Sequence, residues 1–234
     1  MSTRSFTAPI KYFFEEGKPN LHECFDIAFH AALVHDIRTL VVFTSAGEGV
    51  RIALDEYLTN PDYAGMKVIA VTFPVGKTPE PTMPTDLIRS FEERGVPVVR
   101  ANLPLDPMDG TFHERGLGQG HSLLGSVLEV FGGSMSLCVQ AVLMACDAGA
   151  IEMGDHVISM TSDTAILAQA SPTRYFLSGF VVREILCKPV LLTIGRKEIQ
   201  EGPVTGEAVG ASHEPQQLEG SVQPAQRPTS EQPQ

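Results

Sequence analysis

One almost wholly apolar run, Thr39–Phe43 with the sequence TLVVF, constrains the fold more than any other feature of this chain. A strand that is apolar on both faces has to lie inside a sheet that other elements cover on both sides. Gly47 follows shortly after it, and Val50, Leu54 and Tyr57 then recur at the spacing of one helix face. The sequence therefore predicts a buried strand that passes through a short turn into a helix.

Apolar strand-like runs alternate with helical periodicity through the first half of the chain. Asn20 and Glu23 have the spacing of a capping box, which predicts that Asn20 is the N-cap of the first helix. Strands that alternate with helices through tight joints are typical of a mostly parallel sheet with helices on both faces. We therefore predict a three-layer α/β fold. Further strands are predicted at 11–14, 67–72 and 97–100, and helices at 21–32 and 87–94.

The second half of the chain continues this pattern. It predicts two helices, at 123–131 and 135–148, which a pair of glycines separates. The second of these helices is apolar nearly all round, so we expect it in the interior of the fold. Three further apolar runs, at 156–158, 165–167 and 181–186, predict strands that extend the sheet.

The composition changes after residue 198, where Gly, Pro, Gln, Ser and Glu become dominant. Few large apolar side chains follow, so this segment cannot bury enough surface to offset the entropy of ordering it. We predict an α/β domain over residues 1–198 and a disordered polar tail over residues 199–234.

Charge and hydropathy exclude several classes of partner. The formal net charge is −11 and no basic stripe is present, so we expect no nucleic-acid binding. No apolar run reaches the ~18 residues of a membrane helix, and residues 1–10 lack the apolar stretch of a signal peptide. We therefore expect no membrane contact and a cytoplasmic location. The cysteines form no C-x-x-C pair and the histidines are dispersed, so no metal site is predicted.

The turn between the buried strand and its helix is the first candidate binding site. It contains the sequence TSAGEG at residues 44–49. A helix N-terminus offers free backbone amides and the positive end of the helix dipole, which favour a phosphate, and glycine permits close approach. Glu48 places a negative charge beside that position. The alternative interpretation is an ordinary strand-to-helix turn in which Ser45 caps the helix.

Short segments distributed along the chain carry a resemblance to a known family. They are Tyr12-Phe13 with Asn20, the runs 41–47 and 139–150, Met83-Pro84, Asp163-Thr164-Ala165 and the run 184–189. In this order they resemble the stand-alone family of proteins similar to the C-terminal domain of pyruvate kinase. The resemblance covers about residues 11–189.

The resemblance implies a pyruvate kinase C-terminal-like domain without the barrel that carries the kinase reaction, so we expect no pyruvate kinase activity. It also implies a site for a sugar bisphosphate or for FMN at a strand-to-helix loop. Two departures from the family pattern concern this site. Gly49 stands where the family tends to have Thr or Ser, and residues 159–162 replace a glycine-rich turn.

Two further loops complete the candidate site. In the loop after Thr72, which we expect at the same edge of the sheet, Lys77 either neutralises a phosphate or is a solvated loop lysine. The resemblance places Asp163 in the binding region, where it either accepts a hydrogen bond from a sugar or ribityl hydroxyl or ends a turn. The candidate binding residues are Thr44, Ser45, Ala46, Gly47, Glu48, Gly49, Thr72, Gly76, Lys77, Asp163 and Thr164.

Our leading hypothesis is therefore the binding of a phosphorylated small molecule, FMN or a sugar phosphate, with a regulatory role as one option. An alternative is a flavin-dependent oxidoreductase, or an enzyme that handles phosphoesters, using the same pocket. A third hypothesis is an oligomeric interaction module, a homo-oligomer in which the helix from Met135 buries against another subunit.

Overall fold

The strands form one seven-stranded sheet in the computed structural model, which describes residues 7–75, 82–105 and 123–190. They are β1 (Lys11–Phe13), β2 (Thr39–Phe43), β3 (Lys67–Thr72), β4 (Val98–Arg100), β5 (His156–Met160), β6 (Ala165–Gln169) and β7 (Val181–Pro189). The helices are α1 (Leu21–Val34), α2 (Glu48–Ile52), α3 (Thr85–Glu93), α4 (Leu123–Glu129), α5 (Met135–Asp147) and α6 (Phe176–Gly179). Short 3-10 turns lie at Lys18–Asn20, Pro61–Tyr63 and Thr173–Tyr175, and a π-helical turn, Ala53–Tyr57, directly extends α2.

The strand order across the sheet is β1-β7-β6-β5-β2-β3-β4. β6 runs antiparallel to both of its neighbours, whereas the other neighbouring pairs are parallel. The sheet is therefore mixed but mostly parallel, and the predicted α/β class is confirmed. The carboxyl ends of the adjacent parallel strands β5, β2 and β3 consequently lie at one edge of the sheet.

Helices cover both faces of the sheet because the side chains of each strand alternate between two cores. On one face, Leu40 and Val42 of β2 belong to a core that includes apolar residues of α1, α2 and α3. On the other face, Val41 and Phe43 belong to a core that includes residues of α5. The TLVVF run is thus covered on both sides, as its composition predicts, and the three-layer arrangement follows from it.

Helix α5 lies in the interior of the fold, which confirms the interpretation of its apolar sequence. Its apolar side chains contribute to two clusters, one with β2 and β3 and the other with β6. The interaction-module hypothesis uses this helix as a subunit interface. The buried side chains of α5 pack against strands of the same chain. Oligomerisation therefore stays a prediction. In the described ranges, no helix combines the length and apolarity needed to cross a bilayer.

The capping-box prediction at the start of α1 is wrong. Asn20 does occupy the N-cap position, but its side chain makes no capping hydrogen bond. Its side-chain amide instead donates to the Glu15 carbonyl at 2.7 Å. Glu23, the other member of the predicted capping box, forms an ion pair with Lys11 at 2.7 Å. The physical reason is the 3-10 turn Lys18–Asn20, which gives Asn20 a helical backbone (φ −92°, ψ −3°) instead of the extended N-cap geometry.

The predicted polar tail, residues 199–234, lies outside the described residues, as does the predicted end of the α/β domain at residue 198. The proposed boundary therefore stays a prediction. The described chain ends just after β7, where the Val190 amide donates to the Phe13 carbonyl at 2.8 Å beside β1.

The π-helical turn after α2 anchors that helix to α1. Tyr57, at the end of the turn, stacks on Phe29 with the ring centroids 4.5 Å apart. Its hydroxyl donates to the Asp26 carboxylate at 2.6 Å. Burial, followed by the hydrogen bond to Asp26, raises the pKa of Tyr57 above its ordinary value, so the phenol stays protonated.

The contact between Tyr57 and Asp26 can be tested through stability. A Tyr57→Phe variant removes only the hydroxyl, and since the acceptor is charged we expect it to lower the free energy of unfolding by about 1–2 kcal/mol. Tyr63→Phe is the matched control, because Tyr63 also packs against Phe29 but has no hydrogen bond to Asp26. Urea denaturation measures both variants, and equal losses would contradict this account.

Candidate functional site

A cavity of about 240 Å³ lies beyond the carboxyl ends of the neighbouring parallel strands β2 and β5. Ligands of open α/β sheets collect at this edge, outside the carboxyl ends of the strands. The walls come from the loop after β2, the loop after β5, the residue after β3, and the beginnings of α1 and α5. The lining residues are Lys18, Leu21, Val42, Phe43, Thr44, Ser45, Ala46, Glu48, Gly49, Phe73, Ser134, Leu137, Thr161 and Ser162.

Three helices begin at this cavity. Leu21 is the first residue of α1, Glu48 and Gly49 open α2, and Ser134 is the N-cap of α5; all four line the cavity. The first-turn amides of a helix have no acceptor within the helix, and the helix dipole adds positive potential there. None of these three helices has a side-chain hydrogen bond at its N-cap, although the Leu21 amide of α1 donates to the Lys18 carbonyl of the preceding 3-10 turn. The convergence therefore creates an environment that favours an anion.

The loop after β2 takes its shape from Gly47 and Thr44. Gly47 has a φ of +86°, and its amide donates to the Thr44 hydroxyl at 3.0 Å. A Cβ atom at this position would approach Leu87 Cδ2 and Phe91 Cε2 to 2.9 Å. Gly47 therefore turns the chain against α3 and does not line the cavity.

An ion pair joins two of the cavity walls. Lys18 Nζ lies 2.7 Å from Glu48 Oε2, which connects the turn before α1 to the first residue of α2. The side chains are 74% and 49% exposed, respectively, so we expect the pair to add little to stability. Its importance lies in position, because both residues line the cavity.

Asp163 and Thr164 form a buried network next to the cavity. The Asp163 carboxylate accepts hydrogen bonds from the Gly17 amide at 2.7 Å, from the Thr164 hydroxyl at 2.8 Å and from the Thr161 hydroxyl at 3.3 Å. The Thr164 hydroxyl in turn accepts from the Ser134 amide at 3.0 Å. These bonds tie together the segment before α1, the turn after β5 and the start of α5, three of the segments that surround the cavity.

The structure brings part of the predicted binding set together. Thr44, Ser45, Ala46, Glu48 and Gly49 line the cavity. The remaining described candidates do not: Gly47, Asp163 and Thr164 make the contacts described above, and Thr72 is buried with its hydroxyl donating to the Ser45 carbonyl at 3.5 Å. Gly76 and Lys77 lie outside the described residues. Ligand binding by any of these residues stays a prediction.

Several lining residues escaped the sequence-based prediction of the site. Lys18 lies in the 3-10 turn before α1 and Leu21 begins α1. Ser134 and Leu137 lie at the start of α5, and Thr161 and Ser162 follow β5. The sequence does contain one indication of these residues. Each of them lies near the beginning of a helix or just after a strand, and in a parallel sheet such positions meet at the carboxyl edge, where ligands bind. Phe73, directly after β3, carries the same signal.

A scan against models of protein families found none that matches this chain. Within the described part of the chain, no group of three or more His, Cys, Asp or Glu side chains is placed to hold a metal ion.

The Asp163 network can be tested by removing its acceptor. An Asp163→Ala variant removes the acceptor of the part-buried Gly17 amide and of the buried Thr164 hydroxyl, and it leaves the Thr161 hydroxyl with only the Thr164 carbonyl at 3.5 Å. We therefore expect a loss of about 2–4 kcal/mol in the free energy of unfolding. Asp147→Ala is the matched control, because Asp147 also accepts from an amide and a threonine hydroxyl, both of Thr173, but at an exposed position. We expect it to cost under about 1 kcal/mol, since water replaces the lost partner. Urea denaturation compares the two, and a control as costly as Asp163→Ala would contradict the assignment.

Proposed function

We propose that the protein binds a phosphorylated small molecule in this cavity. The anionic group lies against the first-turn amides of α2 and near the Lys18 ammonium. The observation that carries the proposal is the convergence of three helix beginnings on one cavity at the carboxyl edge of the sheet. A single helix without a side-chain cap is common, whereas three such helices around one cavity give an anion several sources of positive potential.

The other lining groups suit an organic molecule that carries the phosphate. The hydroxyls of Ser45 and Ser162 belong to opposite loops and supply donors or acceptors for sugar hydroxyls. Phe73 and Leu137 supply an apolar wall. A few convergent polar groups on an apolar lining are typical of small-molecule sites.

The size of the cavity favours a sugar phosphate over FMN. Pockets that enclose most of a drug-sized ligand have volumes of roughly 300–1,000 Å³. At about 240 Å³, this cavity suits a sugar phosphate held whole. FMN fits less well: its phosphate matches the donors, but its three-ring flavin would extend beyond the described walls. The likeness to the C-terminal domain of pyruvate kinase belongs to the same proposal, and the mostly parallel sheet is compatible with it.

A binding role accounts for the titratable groups better than catalysis does. Among the described lining residues, Lys18 and Glu48 alone have side chains that carry charge, and they pair with each other at 2.7 Å. Proton transfer needs a group positioned at the reacting atom. Binding needs no more than the amides, the hydroxyls and a cation.

Thermal stability in the presence of phosphorylated compounds tests the proposal. We expect ribose 5-phosphate at about 100 times its Kd to stabilise the protein by about 2.7 kcal/mol, because a ligand that binds only the folded state shifts the unfolding equilibrium. Ribose at the same concentration lacks the anion and should leave the Tm unchanged. Scanning fluorimetry measures the shifts, and FMN with riboflavin forms a second matched pair.

A variant that introduces a negative charge locates the effect. Ser162→Glu adds a negative charge to the cavity wall, so we expect it to abolish the Tm shift with ribose 5-phosphate. Ser178→Glu places the same charge on α6, away from the cavity, and should keep the shift. If the wild type shows no shift with any phosphorylated compound, or if Ser162→Glu keeps it in full, the proposal fails.

A further inference from the structure

We infer that Glu48 is an internal competitor of the ligand's anionic group, and that it sets the affinity of the cavity for phosphates by holding Lys18. The inference rests on the proposed function and adds a regulatory residue to the same site. It predicts that the native side chain weakens binding. Removing the Glu48 charge should therefore strengthen binding.

Glu48 belongs to the cavity wall and contacts the lysine of that wall. It is the first residue of α2, so its own amide is one of the first-turn amides at the cavity. Its carboxylate lies 2.7 Å from the Lys18 ammonium. Lys18 is the one basic side chain among the described lining residues. The Glu48 carboxylate thus pairs with this lysine at the place where a ligand phosphate would bind.

The charged side chains among the described lining residues balance each other. Lys18 and Glu48 are the charged side chains among the described lining residues, so their pair leaves the lining with no net side-chain charge. A bound phosphate has to displace the carboxylate from Lys18 or remain close to it. Either event costs free energy, since like charges a few ångströms apart repel each other even at the effective dielectric near a protein surface.

Both members of the ion pair are exposed to solvent. Glu48 is 49% exposed, so its carboxylate can turn into solvent when an anion takes Lys18. Exposed ion pairs are weak, and the lysine is therefore exchangeable between an internal and an external partner. A buried ion pair would resist such an exchange, because the displaced carboxylate would remain as a buried charge without a partner.

The chain supplies a matched control. Glu23 pairs with Lys11 at 2.7 Å, with side-chain exposures of 51% and 52%, and it also lies in the first turn of a helix. Neither residue lines the cavity. Glu23→Gln therefore removes a comparable charge and a comparable ion pair without changing a residue that lines the cavity.

Calorimetric titration of the full chain with ribose 5-phosphate tests the inference. We expect Glu48→Gln to bind about five-fold tighter than the wild type, Lys18→Gln about five-fold weaker, and Glu23→Gln within about two-fold of the wild type. In a Lys18→Gln background, the gain from Glu48→Gln should fall to less than half, because part of it comes from releasing the lysine. Unchanged melting temperatures establish that the variants are folded.

The outcomes separate this inference from the function on which it rests. Binding by the wild type with equal or weaker binding by Glu48→Gln overturns the inference and leaves the proposed function standing. An equal gain from Glu48→Gln in both backgrounds also overturns it, since Glu48 would then act without Lys18. If no variant binds ribose 5-phosphate or inorganic phosphate, the proposed function itself fails.

Discussion

The hydrogen bonds of the Asp163 carboxylate are the constraint on which the candidate site depends. This buried side chain accepts from the Gly17 amide and from the hydroxyls of Thr161 and Thr164, and Thr164 extends the network to the Ser134 amide. The partners belong to segments that are distant in the sequence and that surround one cavity. Because a buried carboxylate is costly without donors, each segment is held where its donor can reach the carboxylate. The network thus fixes where α1 and α5 begin.

The positive potential of the cavity follows from that arrangement. Helices α1, α2 and α5 all begin there, and their first-turn amides supply a partial positive charge without a cluster of basic residues. In the proposed function, this is how a chain with a formal net charge of −11 offers a site to an anion. In the proposed function, the pair of Lys18 and Glu48 then adjusts the local charge, with one side chain that attracts a phosphate and one that repels it.

Much of the fold could be predicted from the sequence, because its signals are local. The TLVVF run of β2 has to be covered on both faces, and the structure covers it with α1, α2 and α3 on one side and α5 on the other. The nearly uniform apolarity of α5 likewise indicated an interior helix. The prediction of a capping box at Asn20 was wrong because a preceding 3-10 turn changes the backbone angles of Asn20. The spacing of Asn20 and Glu23 does not reveal that turn.

The candidate site was less predictable, because side-chain direction depends on distant contacts. The sequence located the loop at residues 44–49, but it did not reveal that Gly47 faces Leu87 and Phe91 of α3. It left two roles open for Asp163, and the contact with Gly17, 146 residues away, could not be foreseen from local spacing. Lys18 was missed for the same reason, since its partner Glu48 belongs to another helix.

The central claim is that helix beginnings around the cavity hold the anionic group of a small molecule. An NMR titration of the backbone amides with ribose 5-phosphate tests it most directly, because each amide reports on its own surroundings. The account predicts that the largest saturable shifts occur at Glu48, Gly49 and Ser162, and that ribose produces none. Saturable shifts confined to residues outside the cavity, or shifts of equal size with ribose, would contradict it.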